Sequence, residues 1–168
     1  MTRVERSTEL RLPTIEVPVT LVLVNRPPVE AELFVADVQR HGRSELLDDV
    51  AALLDEPSAF LPVRGETGVR LLAKHAIAWI AINREEDAAD FDDMPSEVMT
   101  LYDRQHRVEI ALVTGATLVG MLLDSSPADR PRVVDHLNHP GAFVRLWTSD
   151  EHYLINKAQI LHVTELPD

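Results

Sequence analysis

The chain has 168 residues, 45% of them apolar and only eight aromatic (two Trp, two Tyr and four Phe), and carries a formal net charge of −12. The apolar share excludes wholesale disorder. The longest apolar run, residues 76–82, is far short of the roughly 20 residues a membrane span needs, and the absence of cysteine excludes disulfides, thiolate metal sites and a cysteine nucleophile. Residues 1–7 are polar and mixed in charge, with no secretory signal, so the expectation is a cytoplasmic protein that does not associate with membranes.

Residues 1–16 read as an N-terminal arm; Pro13 and Pro18 interrupt any helix before Val19. A first domain is expected over 17–84. It opens with the strand Val19-Thr20-Leu21-Val22-Leu23-Val24, followed by a second strand and a helix whose apolar face carries Leu46, Leu47, Val50, Leu53 and Leu54. Gly65-Glu66-Thr67-Gly68 marks a turn between two further strands, and the apolar run 76–82 makes the last one. Residues 85–105 hold one basic and eight acidic groups, and such clustered like charge reads as a solvated linker.

The second domain, 106–168, begins with Val108, Ile110 and Leu112 alternating with Glu109 and Ala111. Thr114-Gly115 turns the chain back into a strand over 118–123. A short helix capped by Asp129 and containing Val133, Val134 and Leu137 is expected to end at Pro140-Gly141, with strands over 142–148, 152–155 and 158–166.

The two domains are copies. A shift of 83 aligns 50–82 with 133–165 without a gap, and eight of those 33 positions are identical, among them Val50/Val133, Pro57/Pro140, Phe60/Phe143, Leu71/Leu154, Lys74/Lys157 and Ile77/Ile160. Upstream the shift is 89, pairing 19–24 with 108–113, so copy one holds six extra residues near 39–45. Each copy therefore reads β-β-α-β-β-β. Five short strands with one helix most readily close into a small bent barrel, because closure removes exposed edges. The expected fold class is mainly β, two tandem SH3-like barrels.

Val-Thr-Leu-Val-Leu-Val-Asn at 19–25 and Val-Glu-Ile-Ala-Leu-Val-Thr-Gly at 108–115 resemble the first strand and turn of Sm-like proteins. Leu72-Ala73-Lys74-His75-Ala76-Ile77 resembles the Lys-His-Ala-Ile signature of Hfq, the bacterial RNA chaperone of that family, and Ile155-Asn156-Lys157-Ala158-Gln159-Ile160 is the equivalent in copy two. The resemblance implies an SH3-like bent barrel with a short helical turn before the last strand, and a family habit of pairing the last two strands edge to edge between subunits. The helix between strands two and three departs from it, as does Ala158 in the place of His75.

Chemistry-bearing residues are sparse. The chain has 14 arginines and only two lysines, Lys74 and Lys157, at one repeat position. Each ammonium is expected to satisfy backbone carbonyls left unpaired where two strands part or, by analogy with the family, to contact RNA or line a pore together with His75. His136 and His139, beside Asp135, lack a spaced third ligand for zinc. No phosphate loop, nucleophile elbow or other catalytic pattern is present, so neither an enzyme nor a cofactor or metal is expected.

The preferred reading is a non-catalytic scaffold or adaptor in a bacterial complex, joining a protein partner or itself through sheet edges. A last strand apolar on both faces is more than a small barrel can bury, which makes Ile77, Trp79, Ile80, Ile82 and, in copy two, Trp147 the candidate interface. The alternative is an Sm-like RNA-binding protein using Arg64, Arg70, Lys74 and His75, with Arg145 and Lys157 in copy two; the acidic balance disfavours it.

Overall fold

The computed structural model describes residues 13–36, 44–83, 104–124 and 132–167. Residues 85–103 of the acidic linker, most of the insertion near 39–45 and the first part of the N-terminal arm lie outside these. Copy one comprises β1 (Thr14–Leu23), β2 (Val29–Ala36), α1 (Ser44–Asp55), β3 (Phe60–Gly65), β4 (Gly68–Ala73), a 3-10 turn (Lys74–Ala76) and β5 (Ile77–Asn83). Copy two comprises β6 (Arg104–Leu112), β7 (Thr117–Asp124), α2 (Val133–Leu137), β8 (Phe143–Trp147), β9 (Glu151–Asn156), a 3-10 turn (Lys157–Gln159) and β10 (Ile160–Glu165).

The protein is mainly β. The ten strands among the described residues pair antiparallel in one open sheet, ordered β10-β6-β7-β8-β9-β5-β1-β2-β3-β4. Each copy contributes the same series: its fifth strand, then its first, second, third and fourth. The copies are joined where β5 lies beside β9. The shift of 83 superposes β4 on β9 and one 3-10 turn on the other, residue for residue.

Local chemistry accounts for most element ends. Gly115 at φ 89° turns β6 into β7; copy one makes the same connection with Asn25 at φ 59°, a left-handed position that asparagine tolerates. Gly68 at φ 115° closes the β3–β4 hairpin. Pro18 and Pro62 both sit inside strands. Pro18 pairs with Glu32 of β2 but lies beyond the part of β1 that pairs with β5, and Pro62 pairs with Leu71 of β4 but lies beyond the β2–β3 pairing. A missing N–H is tolerated where one flank of a strand makes no ladder bond.

Three expected boundaries move. β1 starts at Thr14, so the N-terminal arm ends before residue 14 and not at 16. The second helix begins after Arg132, which stands at its N-cap without a side-chain bond; Asp129, the expected cap, lies outside the described residues. Ala158 belongs to a 3-10 turn and the last strand starts at Ile160; Asn156 Oδ1 caps the turn by accepting from the Ala158 amide at 3.0 Å.

The apolar side chains form two clusters. One centres on Val17, Leu21, Leu33, Leu61 and Ile80 and is covered by Val50 and Leu54 of α1. The other centres on Val108, Ile110, Leu122, Leu146 and Ile155, with Val133 and Leu137 of α2 against it. β2–β3 and β7–β8 are brief pairings, the latter through Met121 and Trp147 alone. Gly120 allows that second approach: a Cβ there would lie 2.5 Å from the Trp147 carbonyl oxygen and 2.8 Å from Leu146 Cγ. Gly120→Ala is therefore expected to lower stability by about 1–3 kcal/mol in urea unfolding. Gly65→Ala, whose nearest neighbour would be 4.0 Å away, should change it by under about 0.5 kcal/mol.

Candidate functional site: the inter-copy junction and the open sheet edges

β5 and β9 pair through Trp79↔Ile155, Ile80↔Leu154, Ala81↔Tyr153, Ile82↔His152 and Asn83↔Glu151. The apolar run that β5 draws from the sequence is consumed here. Ile77, Ala78, Ile80, Ala81 and Ile82 are all buried, and two side chains cross over: Leu154 of copy two joins the core of copy one, while Trp79 packs on the core of copy two. Polar bonds lock the same seam. Buried Asn156 donates from Nδ2 to the Ile77 carbonyl at 2.9 Å, Gln159 Nε2 donates to the His75 carbonyl at 3.3 Å, and Asp55 Oδ1 accepts from the Ala142 amide at 3.3 Å. Trp147 is half-buried, its ring 4.0 Å from that of His152. Of the candidate interface residues Ile77, Ile80 and Ile82 are thus buried and Trp79 and Trp147 half-buried, four of the five lying on the seam strand itself.

The two lysines close helix ends. Lys74 is buried, and its Nζ donates to the carbonyls of Leu53 and Glu56 at 3.0 and 2.9 Å and to Ser58 Oγ at 3.3 Å. These carbonyls belong to the C-terminal end of α1, where the last turn of a helix leaves acceptors without intrahelical donors. Lys157 donates to the His139 carbonyl just beyond α2, and burial pulls its pKa below the ordinary lysine value against the opposing pull of the Asp55 carboxylate. The carbonyls served lie in the last turn of α1 or just beyond α1 and α2, not where two strands part, and both ammonium groups are engaged within the protein. His75 is exposed on the rim of a cavity of about 630 Å³ that also meets Lys74, Asp55, Phe143, Asn156 and Ala158.

The arginines weighed for RNA are similarly occupied. Arg64 binds Glu16 Oε1 at 2.8 Å and lies over the Phe34 ring, and Arg70 donates to Thr67 Oγ1 at 2.7 Å. Glu32 lies beside the same pair, and its pKa is raised by a hydrogen bond to Glu16 and by that group's charge, against the pull of Arg64. Among the described residues no group of three or more His, Cys, Asp or Glu side chains is placed to hold a metal ion, and no helix is long and apolar enough to cross a membrane.

The ends of the sheet are different. Among the described residues β4 pairs only with β3, and β10 only with β6, so each presents there a row of backbone donors and acceptors outside the ladder. Val69, Leu71 and Leu161 lie on these strands, 55%, 70% and 65% exposed. Their repeat counterparts at the internal seam, His152, Leu154 and Ala78, are 5%, 0% and 0% exposed. Sequence reasoning did not single out Val69, Leu71, Leu161 or Asn156. The identity of Leu71 and Leu154 was visible in the repeat, but its significance depends on which edges are covered.

No protein-family model, no curated protein and no solved structure matches the chain.

Two outcomes test the seam. Asn156→Leu leaves the Ile77 carbonyl and the Ala158 amide without their partners and should cost about 1–3 kcal/mol in urea unfolding, and Leu154→Ala should cost about 2–5 kcal/mol. Tyr153, half-buried and donating to Glu151, has its pKa raised well above the ordinary 10.0, chiefly by burial and then by that hydrogen bond. A group that holds its proton more tightly when folded removes stability as the pH rises above its unfolded value. The loss in stability between about pH 9 and pH 11 should therefore be smaller in Tyr153→Phe than in the parent chain, as measured by urea unfolding at each pH.

Proposed function

We propose that this chain is a non-catalytic assembly subunit, a pair of tandem Sm-like small barrels that joins protein partners by strand addition at its two open sheet edges. The observation that carries this reading is the contrast between Leu71 and Leu154. The same residue at the same repeat position is 70% exposed on the open edge and fully buried where a neighbouring strand covers it. An apolar strand edge with unpaired backbone groups is a site for an added strand, whose main-chain bonds supply affinity and whose side chains supply specificity. The internal bonding of Lys74 and Lys157 supports a structural duty for both and weakens the RNA reading.

The test is affinity purification of the full chain beside a Leu71→Lys/Leu161→Lys variant, with bound protein quantified and a single-stranded oligoribonucleotide titrated against both. Stoichiometric retention of protein by the parent, weakened at least about tenfold in the variant, is expected, because each lysine would have to be desolvated in the joint. Retention unaffected by the variant would overturn strand addition. Tight RNA binding that weakens steeply with salt would replace this reading with the alternative.

A further inference from the structure

We infer that copy one holds a binding site for a single apolar α-amino acid, whose side chain enters the end of the copy-one core while Arg70 and Glu66 at the rim take its carboxylate and its ammonium group. The site is a cavity of about 160 Å³ between β1, β2 and the β3–β4 hairpin. Buried Leu21, Ala31 and Val63 form its floor, half-buried Leu23 and Leu72 stand at its sides, and Glu66, Thr67 and Arg70 edge its mouth. An apolar hole of this size accepts a benzene-sized body, which sets the side chain at that of leucine or phenylalanine. Leu71 leaves β4 on the face opposite Leu72, so the site is independent of strand addition at the edge.

Strand alternation puts Arg70 on the core side of the sheet. Val63, its direct partner across the hairpin, is buried in the core, and residues opposite one another in an antiparallel pair share a face. The guanidinium reaches the rim, where Nη2 donates to Thr67 Oγ1 at 2.7 Å and is held against the turn that also carries Glu66. An arginine fork offers parallel N–H groups that match a carboxylate. Arg70 alone would select any small anion. Glu66 on the same rim repels a plain carboxylic acid and attracts an ammonium group, so cation, anion and apolar hole together describe a zwitterion with an apolar side chain.

Copy two covers the corresponding positions with its own aromatic side chains. Leu112 and Ile155, the counterparts of Leu23 and Leu72, are buried. Tyr153 stands at the Arg70 position, Trp79 lies opposite Ile155 in the ladder, and both rings pack on the cluster to which Leu112 and Ile155 belong. Ser149 and Asp150 take the places of Glu66 and Thr67, so copy two lacks the arginine as well as the space. Among the described residues no strand lies beyond β4 to bring an indole to copy one. One site per chain follows.

Isothermal titration of the full chain with L-leucine and with L-phenylalanine tests the site, and at least one of them should bind at one molecule per chain. The matching acid without the amine (isocaproate or hydrocinnamate) and the matching amine without the carboxylate (isoamylamine or phenethylamine) should each bind at least about tenfold more weakly. Arg70→Gln should weaken the amino acid about tenfold without weakening the amine, and Glu66→Gln should weaken it similarly without weakening the acid. Both residues are exposed, so both variants should unfold at the parent's urea midpoint. Failure of both amino acids to saturate the chain below about 10 mM overturns the site, as does amino-acid binding that survives both substitutions. A plain acid that binds as tightly as the amino acid overturns the zwitterion assignment, and two molecules per chain overturn the restriction to copy one.

Discussion

Backbone pairing between β5 and β9 is the constraint on which the rest of this molecule depends. Five residue pairs carry the ladder across the boundary between copies and turn two five-stranded series into one sheet. An apolar strand such as β5 has no good alternative. Both of its faces are hydrophobic and one of its edges would otherwise hold unpaired amides and carbonyls, so covering it gains apolar burial and hydrogen bonds together. The exchange of Leu154 and Trp79 between the two cores makes the seam a packed interior, and Asn156 fixes its register from within.

The same joint sends the remaining edges to the far ends of the sheet, where equivalent residues face opposite demands. Ala78, Ile80 and Ile82 are buried, while their counterparts Leu161, Val163 and Glu165 lie on the outer strand. Copy two accordingly keeps Thr164 and Glu165 on β10, and copy one keeps Arg70 on β4, charges of the kind that limit indiscriminate pairing of a bare edge. Leu71 and Leu161 are exceptions to that polar pattern, large apolar side chains on strands that have only one neighbour.

The lysines illustrate how a residue distribution can be read correctly as special and still be assigned the wrong detail. Two lysines among sixteen basic residues, both at one repeat position, signalled a shared duty. The duty lies at the helix ends: a long flexible ammonium reaches carbonyls left over after α1 and α2, a geometry that the planar guanidinium of arginine does not match as well.

The order β-β-α-β-β-β, the hairpin turns at Gly68 and Gly115, the apolar face of α1 and the repeat itself were all legible in the sequence, because alternation, helical spacing and turn chemistry act over a few residues. Helix caps and strand ends were less so: α2 starts after Arg132 with no capping side chain, and each copy bends through a 3-10 turn before its last strand although only copy two caps that turn with Asn156. What only the tertiary structure decided is which strand lies beside which. It made the second face of β5 an internal seam, left Leu71 bare while covering Leu154, and set Trp79 of copy one against the core of copy two. The seam strands are joined by contacts between residues about 70 positions apart, and nothing in the local pattern of either strand records them.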